Sequence, residues 1–322
     1  MSQSTVQRPI EKAPAPKTAT RQPRKRKKEA PQQFRGLVSP HTLTTTRGKI
    51  VYWTVLTVVV VGFTLAFVFP LYWMITGAMK SPEELATVPP TFFPTELNTG
   101  VWAEAWDLLD LGLFLKNTLI YAAGAWFFTL TFDVAAAYAL SKLRPVLGKL
   151  VLALVLSTLM IPPMVILLPA YLSAVELPIF GWSLLNTPWA IWLPAAANGF
   201  FIFLLKRFFD SIPRELLEAA QIDGASPMRI LWSVVLPVSR PILGVVSILA
   251  VVNVWKDFVW PLLVLPDSDK MSISVGISSL SAQMPQNVLI AALVIASIPA
   301  ILVFLVFQRS IMAGLTAGSL KG

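Results

Sequence analysis

Three charged residues interrupt stretches that are otherwise apolar: Asp133 in FDVAAAYAL, and Lys256 with Asp257 in NVWKDFVWPL. A carboxylate or ammonium among apolar neighbours is costly to hold ionised. Such groups serve proton or ion relays, line water-filled cavities, or act as hydrogen-bonded structural posts. Asp133 fits the last role. Lys256 and Asp257 are adjacent, so on a helix they point about 100° apart and need not pair with each other. A second constellation, EAAQIDGASPMRILWSVVLPVSRP over residues 218–241, makes and breaks no bonds. Ala219 and Ala220 are small enough for close approach by another surface, Glu215 and Glu218 offer charge at its rim, and Gly224 suits a sharp turn. Other chemistries are excluded by what is missing. There is no cysteine, and the one histidine, His41, lies in a polar stretch, so neither a zinc site nor a thiol or imidazole nucleophile is expected. No G-x-x-x-x-G-K-[ST] phosphate loop occurs, so no ATP site of that type is expected.

The elements that position these residues are membrane spans. Of 322 residues, 55% are hydrophobic and 13% charged, with a mean hydropathy of +0.68. Soluble domains carry roughly 25% charged residues. Six apolar segments, at 51–76, 117–140, 151–171, 188–205, 242–265 and 288–307, match the roughly 20 residues needed to cross a hydrocarbon core. The first is too long for a removable signal peptide and lacks a cleavage site. The expected fold is therefore all-α, a six-span membrane protein.

Orientation follows from the cations. With the N-terminus inside, 22 of the 26 lysines and arginines fall in inside segments. Lys80, Lys116 and Lys270 fall outside, and the outside segments are otherwise acidic: Glu83, Glu84, Glu96, Glu104, Asp107, Asp110, Glu176, Asp267 and Asp269. The positive-inside rule then places both termini and the 206–241 loop in the cytoplasm. Residues 1–50 hold twelve cations and two acids. They cannot bury enough apolar surface to order themselves and read as a disordered cytoplasmic tail, available to anionic lipid heads. Nucleic acid is not an expected partner, because the next segment spans a bilayer.

Within the 206–241 loop, Ser211 is expected to cap a helix with Pro213 in its first turn, and IPRELLEAAQID to make about three turns. Ile212, Leu216, Ala219 and Ala220 are expected on one side. Gly224 ends that helix, Ser226 and Pro227 start a second, and Pro237 and Pro241 break it ahead of the fifth span. A stub this short is not stable alone in water and needs a host surface.

The loop resembles the EAA loop of permeases from binding-protein-dependent ABC importers. Glu218, Ala219, Ala220, Gly224, Leu236 and Pro237 match that pattern, and Val234 stands for its usual isoleucine. NTPWAIWLPAAANGFFIFLLKRFF (186–209) and QRSIMAGLTAGSLKG (308–322) are similar to the maltose-type, carbohydrate-uptake branch. The resemblance covers residues from about 50 to the end and implies the type I importer permease fold. It implies that Glu218, Ala219, Ala220, Asp223, Gly224, Leu236 and Pro237 form a coupling element seated in a groove of a cytoplasmic ATPase. Gly314, Gly318, Lys321 and Gly322 would make a second ATPase contact. The partners implied are a second, different permease subunit, two ATPase copies that use ATP and Mg, and an external sugar-binding protein in a bacterial or archaeal cytoplasmic membrane. This chain itself would hold no cofactor or metal.

Trp255, Lys256 and Asp257 are candidates for the translocation pathway, where a tryptophan face stacks on a sugar ring and charges bond hydroxyls. The other reading is packing between subunits. Lys256 stands where the family commonly has an amide. Three rivals remain open: an ABC permease for a non-sugar solute, an ion-coupled transporter using Asp133, Lys256 and Asp257, and a membrane-embedded enzyme, for which no convergent catalytic set is visible.

Overall fold

A computed structural model of the chain describes residues 45–319, with side chains described to residue 308. The expected disordered tail therefore lies, up to residue 44, outside the described residues. The order is α1 (Thr46–Ala78), α2 (Pro82–Leu85), α3 (Val101–Leu108), α4 (Leu111–Tyr138), α5 (Gly148–Thr158), α6 (Pro163–Val175), α7 (Trp189–Ala195) and α8 (Gly199–Asp210). It continues with α9 (Arg214–Ile222), α10 (Pro227–Ile230), α11 (Leu236–Val238), α12 (Arg240–Lys256), α13 (Val259–Val264), α14 (Ile273–Leu280) and α15 (Gln286–Ser319). No strand occurs among the described residues. The chain divides into two units, residues 1–64 and 65–322, with the boundary inside α1.

Helix α1 opens at Thr46, within the stretch assigned to the tail. Helices α1, α4 with its following π-helical turn (Ala139–Leu143), and α15 are each long and apolar enough to cross a membrane. Three further candidates are bent pairs: α5 with α6 at 103°, α7 with α8 at 43°, and 227–238 with α12 at 82°. Three of the six expected segments, the third, fourth and fifth, are thus interrupted. The third segment breaks at 159–162, where Pro162 and Pro163 withdraw two backbone donors. The fifth stops at Lys256, because Asp257 turns extended (φ −68°, ψ 134°) and α13 restarts separately at Val259. Pro194 and the capping Asn198 accompany the break in the fourth.

Helix α4 organises what surrounds it. Gly124 packs under Trp192 of α7, where a Cβ would lie 2.1 Å from the ring. Further along, Thr129 donates to the Ala195 carbonyl (2.8 Å), Asp133 accepts from Asn198 N–H (3.0 Å), and Ser141 donates to Asp210 (2.7 Å). Both partners advance together, so α4 and the α7–α8 pair run parallel. The chain between them must return across the same thickness, which is the work of α5 and α6.

The two ends of this bundle differ in composition. At the α4 N-terminal end, Asn117 donates to the Asp269 carbonyl (2.8 Å) and Tyr121 to that of Lys270 (2.7 Å). Lys80, only 2% exposed, lies 4.7 Å over the Trp73 ring and donates to the Thr91 carbonyl. The Glu84 carboxylate ties the adjoining loop by accepting from Thr91 Oγ1 (2.6 Å), Thr95 Oγ1 (2.9 Å) and Thr95 N (3.1 Å). The opposite end collects Lys142, Lys206, Arg207, Arg214, Arg229 and Arg240 around an apolar plug of Phe209, Ile212, Ile230 and Val235. Where water reaches that end, burying each such side chain is worth about 1.5–3 kcal/mol. Within the hydrocarbon layer the hydrophobic drive is absent, and helices associate through packing and hydrogen bonds.

Candidate functional site

The 206–241 loop folds as helix, turn, helix. Helix α8 buries Phe201, Ile202, Leu205 and Phe209, an i, i+1, i+4, i+8 stripe facing α4 and α12. Ser211 closes this helix by donating to the Phe208 carbonyl (2.7 Å) rather than capping the next one. Pro213 sits just before α9 as its boundary residue instead of in its first turn, because its extended ψ of 138° cannot be helical. Helix α9 then ends in a left-handed turn. Gly224 has φ +76°, its N–H donates to Gln221 (2.9 Å), and Ala225 N–H donates to Ala220 (2.9 Å). These bonds satisfy carbonyls that a helix end would leave open. Ser226 Oγ caps α10 by accepting from Arg229 N–H (3.3 Å).

The side expected to carry Ile212, Leu216, Ala219 and Ala220 together is divided. Ile212 is buried, with Leu217 and Ala220 packed around the same cluster, while Leu216 and Ala219 face out with Glu215, Glu218, Ile222 and Asp223. No residue of α9 is buried. Among the described residues, no ion-pair or hydrogen-bond partner meets the Glu218 side chain. Leu236 is half-buried and Pro237 exposed at the far side of the loop. The sequence reading missed Ile222 (86% exposed), Met228 and Trp232 (67% exposed), large apolar residues open to solvent beside the α9 face. Their signal was an apolar side chain at a polar loop position, which patterning alone assigns to a core. Gly314 and Gly318 lie in the helical backbone of α15, and Lys321 and Gly322 lie outside the described residues.

A cleft of about 570 Å³ opens where the helix breaks meet. Its polar lining comes from Thr129 of α4, Thr158 at the end of α5, Asn198 between α7 and α8, Asn253 of α12, Asp257 and Trp260. The expected pathway trio separates here. Trp255 is buried, with its indole N–H donating to the Ala296 carbonyl of α15 (3.0 Å), Lys256 is exposed, and Asp257 lines the cleft. The 100° step between neighbours sends the three apart. Asn253 stands one turn before Asp257 on the same side, a spacing that was legible as Asn-x-x-x-Asp. Asp133 is fully buried, one oxygen on Asn198 N–H and the other without a partner. No cluster of His, Cys, Asp and Glu among the described residues could hold a metal.

The chain is similar to known proteins. A family model described as "Binding-protein-dependent transport system inner membrane component" matches residues 134–316, which include the whole 206–241 loop. The melibiose/raffinose/stachyose import permease protein MelC of Bacillus subtilis is 30% identical over 262 residues, covering 80% of this chain and 92% of that protein. The sulfoquinovosyl glycerol transport system permease protein SmoH of Agrobacterium fabrum is 32% identical over 259 residues, covering 79% and 89%. Among solved structures, a chain of a bacterial ABC transporter involved in importing the acidic polysaccharide alginate aligns with a TM-score of 0.70 at 24% identity, over 82% of this chain and 98% of that one. That likeness concerns the fold.

Proposed function

Because the chain belongs to the family of binding-protein-dependent transport system inner membrane components, we propose that it is a transmembrane permease subunit of an ATP-driven carbohydrate importer. The observation that carries this reading is α9: a short helix with no buried residue, hung beyond a membrane-spanning helix, ended by a left-handed glycine, with Glu218, Ala219 and Ile222 exposed among the described residues. Such a stub needs a host, and a groove in a cytoplasmic ATPase is the host that fits. The cargo class is supported by the two relatives, whose names concern melibiose, raffinose, stachyose and sulfoquinovosyl glycerol.

In this reading two ATPase copies hydrolyse ATP with Mg, one gripping Glu218–Gly224 of this chain and the other the equivalent loop of a second permease. Leu236 and Pro237 back the loop, and Gly314, Gly318, Lys321 and Gly322 add a further ATPase contact. The parallel run of α4 and α7–α8 supports six crossings, and the cation distribution supports cytoplasmic termini. The twelve cations of residues 1–50 would attract anionic lipid heads. An external binding protein delivers the sugar, and Asp257, with Asn253 and Trp260, forms this subunit's wall of the pathway. The ion-coupled reading of Asp133, Lys256 and Asp257 gives way to the family assignment.

The test is purification of the tagged chain from its native membrane in mild detergent, with its associated proteins identified and ATP hydrolysis measured. A co-purifying ATPase and second permease, with hydrolysis stimulated by a binding protein and one sugar, supports the reading. Stimulation by an amino acid or inorganic phosphate instead would overturn the carbohydrate assignment. A chain that never captures an ATPase would overturn the coupling role of α9.

A further inference from the structure

The break in the fourth span is held differently from the other two. At 159–162 and at Ser239 the freed backbone groups bond locally, Ile161 N–H to Thr158 O and Ser239 N–H to Val235 O. Between α7 and α8 they bond to another span. Thr118 and Thr131 of α4 use their hydroxyls on the carbonyl four residues back, the ordinary habit of a helical threonine. Thr129 does not. It reaches across to the Ala195 carbonyl (2.8 Å), and Asp133, one turn on, accepts from Asn198 N–H (3.0 Å). Asn198 Oδ1 in turn caps α8 by accepting from Phe200 N–H (3.0 Å) and Phe201 N–H (3.2 Å). Two of the groups that the break opens, the Ala195 carbonyl and the Asn198 N–H, are therefore closed by two buried side chains of α4, at a depth where open backbone groups are costly.

The same two helices are joined again at their other ends. In the π-helical turn that continues α4, Ser141 donates to Asp210 (2.7 Å) and Lys142 to the Ile212 carbonyl just past α8 (3.3 Å), while Lys206 braces Asp210 from within α8 (2.7 Å). Helix α8, about 18 Å long by its rise, is thus pinned to α4 at both ends. Its lower end leads straight into α9. Its upper end is the break, and Thr129, Ala195 and Asn198 all line the cleft.

We propose that Thr129 and Asp133 are positioning residues that clamp the break in the fourth span, so that α4 and α8 move as one strut and deliver the displacement of α9 to the cleft wall. This rests on α9 being the coupling helix. Only one Asp133 oxygen is engaged, so an amide oxygen can replace it, and neither a charge nor a proton at this position is required.

The test uses the whole transporter in lipid nanodiscs and liposomes, with Thr129→Val, Asp133→Asn and Asp133→Leu. All three should keep the co-purifying ATPase. Asp133→Asn should keep solute moved per ATP within about twofold. Thr129→Val and Asp133→Leu should lose about tenfold in that ratio. An unchanged ratio in Asp133→Leu, or an Asp133→Asn variant as poor as Asp133→Leu, overturns the clamp. The chain has no cysteine, so spin labels at Phe132→Cys and Arg207→Cys report the strut directly. Their separation should be the same without nucleotide and after vanadate trapping, and should broaden in Asp133→Leu. A separation that shifts between those two states in the otherwise unmodified chain also overturns it. An unmodified chain that docks no ATPase would sink the coupling reading instead, while the label separation, narrow with Asp133 and broad with Leu, still reads the clamp.

Discussion

Replacing Gly224 isolates a single physical requirement of the coupling loop. Its φ of +76° lies in the left-handed region, and a Cβ built there meets nothing within 4 Å. The penalty for a side chain is therefore conformational and not steric within this chain. Left-handed backbone costs an ordinary L-residue about 1–2 kcal/mol, and asparagine least among residues with a side chain. What is lost is local: the Gln221 and Ala220 carbonyls lose their N–H partners when the turn unwinds. If docking needs the wound turn, 1–2 kcal/mol corresponds to a fall of roughly 5–30-fold in docking-competent loop. Binding-protein-stimulated ATP hydrolysis in the reconstituted complex should thus fall in the order Gly, Asn, Ala, Val, with Ala down by up to that factor. The thermal midpoint of the isolated chain should hardly move, because no core contact is touched. A ranking by volume, with Asn no better than Val and Ala close to wild type, would refute the backbone argument. It would place the requirement in a partner surface instead.

Other consequences are as direct. Ile222→Asp should leave insertion and thermal stability within about 0.5 kcal/mol yet reduce the ATPase recovered with the tagged chain; unchanged recovery would remove Ile222 from the docking face. Gly124→Ala forces a methyl into the Trp192 ring and should destabilise the chain by about 1–3 kcal/mol, read as a lowered unfolding midpoint in detergent and relieved by Trp192→Leu. The Thr91 hydroxyl and the backbone and hydroxyl of Thr95, aided by Lys80, hold the Glu84 carboxyl below its ordinary value. The folded-state value is depressed, so the loop's stabilisation is complete above the ordinary glutamate pKa of about 4.3 and is lost as pH falls through the lower, folded value. Protection of residues 91–95 against hydrogen exchange, corrected for the intrinsic rate at each pH, should fall on acidification in the native chain, and Glu84→Gln should abolish that fall.

Much of this molecule was legible in its residues. Lengths of apolar sequence are matched to bilayer thickness, so the number of candidate crossings could be counted. Lysine and arginine resist translocation, so an orientation could be inferred from their positions. Gly224 could be assigned to a turn because few other residues tolerate left-handed backbone, and the structure gives it φ +76°. Local chemistry of this kind is carried by single residues and their near neighbours. What the sequence left undecided depends on contacts between distant segments. Asp133 read as a hydrogen-bonded structural post, but its partner, the Asn198 N–H 65 residues away, came only from the packing. Trp255 and Asp257 looked like one pathway group until the packing of α12 against α15 buried the first and left the second on the cleft. Ala219 and Ala220 looked equivalent until the plug at the end of α8 took one and left the other exposed. Nor did the prolines alone say how far each span bends, since a freed carbonyl or amide can be met locally or by a neighbouring helix. Only the tertiary arrangement decides which, because the partners that close a broken span in hydrocarbon must come from whatever helix is packed against it.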